Sequence, residues 1–405
     1  MLVIGAGLAG SLLALALAER GAVVELLDPG QGCSATGLSY GGVPWWAGAP
    51  GPMDQLMASA PAAWRHLEQR HGPLGWSPCS LRLHWSDAEA EAEAEAEAET
   101  ATETATATAT EAAAAAVACG SSLLDQSQAR VEALARRHLG PDQVERLEAS
   151  HGPGGRRVLR LDYGRIDSRQ LSLALPQALE RAGVRRRWGR CAPLQAGALP
   201  ARQVVLAAGA GCRALWPALS DRLRVSWAGV LRLDDGSLSS ELMNTSALTQ
   251  PNDILMPLFA QRQGLEQRAD QIERQEWVVD AGLAPWGEGL LLGQTSLIRP
   301  GTACGASPQA AALELELRQV LGRIDPRLGQ VPASFQQVPV SFSCSGSPLA
   351  GPVAGAAGLW LFAGLSSPFA LAPGLAVLLA RALSGEPGAL ERLPGATEEP
   401  NPGWS

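Results

Sequence analysis

The chain has 405 residues, 46% of them hydrophobic but only 5% aromatic, so aliphatic side chains and alanine must build a core large enough for two or three domains. Its formal charge of −8 comes from one stretch: nine acids and no bases lie between Asp87 and Glu111, which leaves 31 acids against 32 bases elsewhere. A body so close to neutral argues against a nucleic-acid-binding surface.

The opening stretch, Met1 to Asp28, reads MLVIGAGLAGSLLALALAERGAVVELLD. Leu2–Ile4 form an apolar strand, and Gly5, Gly7 and Gly10 make G-x-G-x-x-G. An Ala/Leu-rich helix runs from Leu8 to Arg20 and stops at Gly21, and Ala22–Leu27 form a second strand closed by Asp28. This is the βαβ dinucleotide fingerprint. Gly5 permits the tight turn, Gly7 lets backbone approach a pyrophosphate, and Gly10 lets helix and strand pack closely. The phosphates meet the free N–H groups and the positive end of the helix. Asp28 takes a ribose hydroxyl, and its charge disfavours a 2′-phosphate. Leu12–Ala18 does not read as a secretory leader, because glycines break its start and Glu19-Arg20 follow it.

Pro29-Gly30 turn the chain into Gly32–Pro44, a run of small residues suited to a loop wrapped around a flat ligand. Met53–His71 reads as one amphipathic helix and Ser80–Trp85 as a strand. The stretch 87–116 is low complexity, Ala-Glu then Ala-Thr then polyalanine. It reads as a solvated insertion without chemistry, since its glutamates repel at i,i+4. Gln126–Glu148 reads as one or two surface helices. Val158–Asp167 reads as a strand, a turn and the N-cap of a helix over Ser168–Ala182. Gly183-Val184 start another strand, and Val204–Ala208 is an apolar strand of a buried parallel sheet ending in Gly209-Ala210-Gly211. Arg224–Leu233, Glu276–Ala281 and Gly289–Gly293 read as strands of a second sheet, with helices over Leu265–Arg274 and Ala310–Leu321.

No charged residue lies between Arg327 and Arg381, but glycine and proline interrupt the run, which argues against a membrane span. A strand over Leu359–Ala363, a Gly364–Pro368 loop and a helix over Ala372–Leu383 account for it better. All 32 bases are arginine, which excludes Schiff-base and P-loop lysine chemistry. The seven cysteines (33, 79, 119, 191, 212, 304 and 344) are dispersed and never C-x-x-C, as in a reducing, cytoplasmic setting. The five histidines all precede residue 152, and no metal-ligand motif is present.

Taken together, the motifs resemble those of the D-amino acid oxidase/glycine oxidase-like FAD-dependent oxidoreductases (DAO). The carriers are G-A-G-L-A-G at 5–10, L-L-D at 26–28, C-S-x(5)-Y-G-G-V-P at 33–44, Y-G-R-I-D at 163–167 and V-V-L-A-A-G-A at 204–210. L-L-G-Q-T at 291–295, P-L-A-G-P at 348–352 and G-L-W-L-F-A-G at 358–364 complete the order. The resemblance implies an α/β fold: a Rossmann-like, glutathione reductase-type FAD-binding domain with a parallel sheet, and an inserted α+β mixed-sheet substrate domain. The implied FAD domain comprises 1–58, 163–216 and 337–388. The implied substrate domain comprises 59–162 and 217–336, and 389–405 form a disordered tail. Implied FAD contacts are Gly5, Ala6, Gly7, Leu8, Ala9 and Gly10, then Asp28, Ser34, Gly41 and Gly42, then Ala208, Gly209 and Gly364.

The substrate half departs from the family. Its carboxylate-binding Arg-Pro pair falls on Val340-Ser341, the usual acid on Ser345 and the usual histidine on Leu365. A covalent flavin on Cys344 does not match the spacing of covalent members. Tyr40 and Arg232 are the candidate polar substrate contacts. Tyr163 and Arg299 fit structural hydrogen bonds better. The resemblance implies hydride transfer to flavin N5 from a C–N bond of a small amine or amino acid. Alternatives are an apolar, isoprenoid or carotenoid-like substrate, and a non-catalytic FAD-binding protein.

Overall fold

The computed structural model describes residues 1–30, 34–48, 50–86, 89, 131, 133, 135–140, 144–147, 156–245 and 251–393. Strand β1 (Leu2–Ile4) runs into α1 (Leu8–Glu19), and Gly21, at φ 79, reverses the chain into β2 (Glu25–Asp28). There follow β3 (Gly42–Val43), α2 (Pro52–Ala58), α3 (Ala60–His71), β4 (Trp76–Trp85), β5 (Val144–Leu147) and β6 (Arg157–Ile166). Helix α4 (Ser168–Arg181) leads to β7 (Arg185–Trp188), β8 (Val204–Leu206) and β9 (Leu223–Leu233). Then come α5 (Gly236–Thr245), β10 (Ile254–Pro257), α6 (Gln261–Gln267), β11 (Glu276–Val279), β12 (Leu283–Trp286) and β13 (Gly289–Ile298). The chain closes with α7 (Ala310–Ile324), β14 (Ser334–Ser343), β15 (Leu349–Pro352), β16 (Leu359–Ala363) and α8 (Pro368–Leu383).

Two sheets result. The first has the order β15-β16-β8-β1-β2-β7, parallel except for β15. Its strands are apolar throughout at β1 and β8, as burial on both faces demands. Helix α1 is apolar around its whole circumference. Leu12, Leu13, Leu15 and Leu17 are all buried, because α1 sits between this sheet and the helices α8 and α4. Each such leucine contributes about 1.5–3 kcal/mol relative to exposure. The second sheet has the order β14-β9-β13-β12-β10-β4-β6-β3, with β11 and β5 off this path. It is mixed, since β10 and β4 run parallel within an otherwise antiparallel set.

Several expected elements differ, each for a local reason. The helix over Met53–His71 is two helices, because Pro61 cannot extend a preceding turn and instead starts α3. Val144–Leu147 is a strand paired with β6, not part of a helix. Sheet pairing there overrides the helical propensity of a charged segment. Strand β6 runs on to Ile166 and meets the Asp167 N-cap directly, with no turn between them. Helix α6 begins at Gln261, where the Asp280 carboxylate accepts the Gln261 and Arg262 N–H groups at 2.8 and 3.1 Å. It ends at Gln267, and Ala269 and Ile272 turn inward onto Ile298 and Phe342. Strand β13 passes Gly293 (φ 84) in a bulge and runs on to Ile298. Helix α8 starts at Pro368, four residues before the expected Ala372.

Strand β14 has no counterpart in the sequence reading. Pro339 interrupts its pattern, and proline is tolerated there because, among the described residues, β14 pairs only with β9. Ala389 and Leu393 are buried, so packed chain extends past residue 388 into the expected tail. The 87–116 insertion, apart from Glu89, and residues 394–405 lie outside the described residues. Among the described residues no helix is long and apolar enough to cross a membrane.

Candidate functional site

The parallel order of the first sheet brings the carboxyl ends of β1, β2, β8 and β16 to one edge, which is where ligands bind in open α/β sheets. There the chain places Gly5, Asp28, Ala208, Gly209 and Gly364. The three fingerprint glycines do two different jobs. Gly5 has φ 110, and a Cβ on it would stand 2.4 Å from the Ala207 carbonyl oxygen. A Cβ on Gly10 would stand 1.9 Å from the Gly5 carbonyl oxygen. Both positions are closed by the protein's own backbone. Gly7 is open: among the described residues its Cβ would meet only the Thr36 hydroxyl, at 3.5 Å. The space in front of Gly7 is a cradle that any larger residue would fill.

The start of α1 carries no acidic side chain and no side-chain cap from its own N-cap, Gly7. The first N–H groups of a helix have no carbonyl partner within it. Leu8 N–H is satisfied by Thr36 Oγ1 at 3.0 Å, a hydroxyl from the small-residue loop. Ala6 N–H donates to Asp28 Oδ2 at 2.7 Å, and Gly30 N–H to Asp28 Oδ1 at 2.8 Å. An anionic acceptor held beside helix N–H groups, and a side-chain-free approach between them, suit a dinucleotide with its sugar on the acid and its phosphates on the amides. The donor set fits the group. Thr36 was not singled out in the sequence; its signal was an uncapped helix start facing a loop rich in hydroxyls.

The 34–44 loop is anchored from two sides and braced by one bond of its own. Ser168 Oγ donates to Ser39 O at 2.8 Å, Trp286 Nε1 donates to Gly37 O at 2.8 Å, and Gly37 N–H donates to Ser34 Oγ at 3.0 Å. Gly41 (φ 69) and Gly42 have packing reasons of their own. A Cβ on Gly41 would stand 1.8 Å from Ile166 O, and one on Gly42 2.8 Å from the Tyr163 hydroxyl. Gly209 (φ 54) faces Ser341, and Gly364 (φ 70) faces Ser343. These contacts bring β14 against the sheet edge. Helix α8 follows with Pro368 in its first turn and no acid there, so its positive end is also uncompensated.

Across from the loop, one face of the second sheet is apolar. Leu38, Val230, Leu291 and Val338 are buried together, with Tyr40, Ala228, Trp286 and Val340 packed around them. Val340 therefore sits in a hydrocarbon cluster where the family's arginine was sought. The Tyr40 hydroxyl donates to the Gly293 carbonyl oxygen at the β13 bulge. Burial, and then the Asp280 charge, push its pKa well above the usual 10, against the lowering effect of that bond. Arg232 stacks on Trp286, its guanidinium carbon 5.5 Å from the ring centroid, and its Nε lies 3.1 Å from Asp234. Tyr40 and Arg232 thus approach the same cluster, Tyr40 inside it and Arg232 at its half-exposed rim. Tyr163 is buried behind Gly42, and Arg299 holds Gln275 and the Ala306 carbonyl. Among the described residues no group of three or more His, Cys, Asp or Glu side chains could hold a metal.

Residues 1–382 match the family of FAD dependent oxidoreductases, DAO. The chain belongs to that family. It is an FAD-dependent oxidoreductase. Solved structures share the fold. Iminodiacetate oxidase from Chelativorans sp. BNC1 superposes with a TM-score of 0.66 at 18% identity, over 98% of this chain and 99% of that one. Glycine oxidase from Geobacillus kaustophilus gives 0.66 at 16%, over 95% and 94%. An L-amino acid deaminase from Proteus vulgaris, lacking its specific insertion, gives 0.57 at 16%, over 95% and 89%. No curated protein matches the sequence.

Proposed function

We propose that this DAO-family protein oxidises a C–N bond of a small amine or amino acid. When bound, FAD supplies the hydride acceptor at its N5. The names of the similar structures, iminodiacetate oxidase and glycine oxidase, support the reaction class. The observation that carries the reading in this chain is the apolar face beneath the 34–40 loop. Its polar groups are few, and Tyr40 keeps its proton. Such a face orients and desolvates a neutral amine and adds little acid–base chemistry, which suits hydride removal.

In this reading the N–H groups of Ala9 and Gly10 and the Thr36 hydroxyl bind the diphosphate, and Asp28 accepts from the ribose. Ala6, Gly7 and Leu8 line the same turn. Ser34, Gly41, Gly42, Ala208, Gly209 and Gly364 border the ring, and Tyr40 and Arg232 are the polar contacts for substrate. The cofactor domain would gather 1–58, 163–216 and 337–388, with its inner limits set at the ends of β6 and β14, near 166 and 343.

A second reading, an apolar substrate such as an isoprenoid chain, is favoured by Val340 and its neighbours Val338, Val230 and Leu291. Mixing the FAD-loaded protein anaerobically with a panel of amines, amino acids and isoprenoids, while following visible flavin absorbance, separates the two. Bleaching by an amine is expected. Bleaching by isoprenoids alone would replace the first reading with the second.

A further inference from the structure

Trp188 ends β7, the edge strand of the first sheet, with 62% of its surface exposed. A single exposed indole is ordinary; its surroundings are what set this one apart. Strand β7 runs parallel to β2, with Trp188 in register with Asp28, and Gly189 N–H donates to Asp28 O at 2.9 Å. The indole reaches back over the turn that follows β2. A Cβ on Gly30 (φ 69) would stand 2.5 Å from the ring, so glycine is what leaves room for it there. Arg186, two residues earlier and on the same face of the strand, lays its guanidinium over the ring, its carbon 4.5 Å from the centroid. These two contacts fix the plane of the indole and leave most of it open.

The order of the strands supplies a ligand for that open face. In the row β1-β2-β7 the carboxyl ends lie side by side, each strand about 4.8 Å from the next. Gly7 follows β1, Asp28 ends β2 and Trp188 ends β7. In FAD the diphosphate, the ribose and the adenine are joined in that same order. With the diphosphate at Gly7 and the ribose on Asp28, the base arrives one strand further on, at Trp188. On the other side of β1 the row continues into β8 and β16, which leaves that direction to the flavin half. Adenine is flat, and stacking on an indole gives it a contact that needs no hydrogen-bonding partner.

We propose that Trp188, backed by Arg186, is the platform on which the adenine of FAD stacks. The proposal rests on the reading that Asp28 holds the ribose. It adds an edge-strand contact that neither the glycine fingerprint nor the acid implies.

Isothermal titration of the full-chain apoprotein with FAD, and separately with ADP, tests it. ADP carries the same base, ribose and diphosphate without the flavin, so both ligands should feel the platform. Trp188→Leu should weaken each by about fivefold to 150-fold, the range that removal of one base–aromatic stack produces. Trp188→Phe keeps an aromatic face and should recover most of that loss for both ligands. Because the side chain is exposed, the circular dichroism and melting temperature of the apoprotein should match the wild type. Where Trp188→Leu is misfolded, Trp188→Gln takes its place. Unchanged FAD and ADP affinities in the folded variant overturn the proposal. If Asp28→Asn still weakens FAD in the same assay, the ribose reading survives that result; if it does not, both fall. A loss confined to FAD also overturns the proposal, because Trp188 would then act on the flavin half.

Discussion

Asp28 Oδ2 accepts the Ala6 N–H at 2.7 Å, so the acid that closes the second strand is tied to the turn that opens the first helix. The carboxylate is thereby aimed along the sheet edge before any ligand arrives. Asp28→Asn keeps the shape and one acceptor oxygen but loses the charge. Hydrogen bonds to a charged group are worth about 1.5–3 kcal/mol, which is roughly a 10- to 150-fold change in affinity. FAD titration followed by flavin fluorescence should show weakening in that range. The unliganded variant should also lose stability, because its amide nitrogen must face one of the Ala6 and Gly30 N–H donors, so its melting temperature is recorded alongside. Unchanged FAD affinity would remove Asp28 from the cofactor site.

Gly7 and Gly10 should part company when each is made alanine. At Gly10 the new methyl meets a backbone carbonyl at 1.9 Å, and the first strand–helix packing must shift to admit it. The cost is in the fold, on the order of 1–3 kcal/mol for overpacking. At Gly7 the backbone is extended (φ −71, ψ −170), and the methyl meets only a hydroxyl at 3.5 Å. Gly7→Ala should therefore unfold in urea at the wild-type midpoint and yet bind FAD at least tenfold more weakly. If both variants lose stability equally, the open cradle is not where the pyrophosphate approaches.

His84 makes the stability of the second sheet depend on pH. It is buried, its Nε2 lies 2.9 Å from Ala281 O, and Nδ1 has no partner among the described residues. Burial first, and Arg156 second, lower its pKa from 6.5 to about 4. The unfolded chain takes a proton below pH 6.5 that the folded chain refuses until about 4. Stability is thus present above 6.5 and lost as pH falls toward 4, by about 3 kcal/mol from this group. Asp280 and Glu266, whose carboxyl pKa values burial raises, work in the opposite direction, so the comparison must be differential. Urea midpoints of wild type and His84→Gln should converge as pH drops from 7 to 4.5. Parallel curves would mean that His84 is already charged in the fold.

The first sheet was readable from the sequence because its elements are local. An apolar run, a glycine and an amphipathic or apolar helix follow one another within each β–α unit, as at Leu2–Glu19 and Leu359–Leu383. The second sheet was only half readable. Strands β9, β11 and β13 can be seen as apolar or β-branched runs, but β10, β12 and β14 each contain a proline, Pro257, Pro285 and Pro339. Their strand state is set by partners distant in the chain, which no local pattern encodes. The same limit applied to the site. Gly41 and Gly42 were visible as a pair suited to a ligand, while the Ile166 carbonyl and Tyr163 hydroxyl that also require them come from more than 120 residues away. Trp286, which pins the loop at Gly37, carried no motif at all.

Tyr40 bears on how the reaction handles protons. Its hydroxyl donates to Gly293 O, the carbonyl that the β13 bulge turns out of the ladder, and its pKa lies well above 10. An acid with a raised folded pKa stays protonated until the pH exceeds that value, so across pH 6–9 Tyr40 is a fixed hydroxyl and never a phenolate. It can place substrate through its remaining lone pairs but cannot serve as the general base. Tyr40→Phe should therefore leave the shape of the kcat/KM pH profile unchanged from pH 6 to 9. It should destabilise the fold by about 0.5–1.5 kcal/mol, the worth of one ordinary hydrogen bond, read by urea unfolding. An alkaline limb seen in the wild type and abolished by Tyr40→Phe would show the phenol titrating during turnover. It would also mean that the Gly293 bond opens when substrate binds.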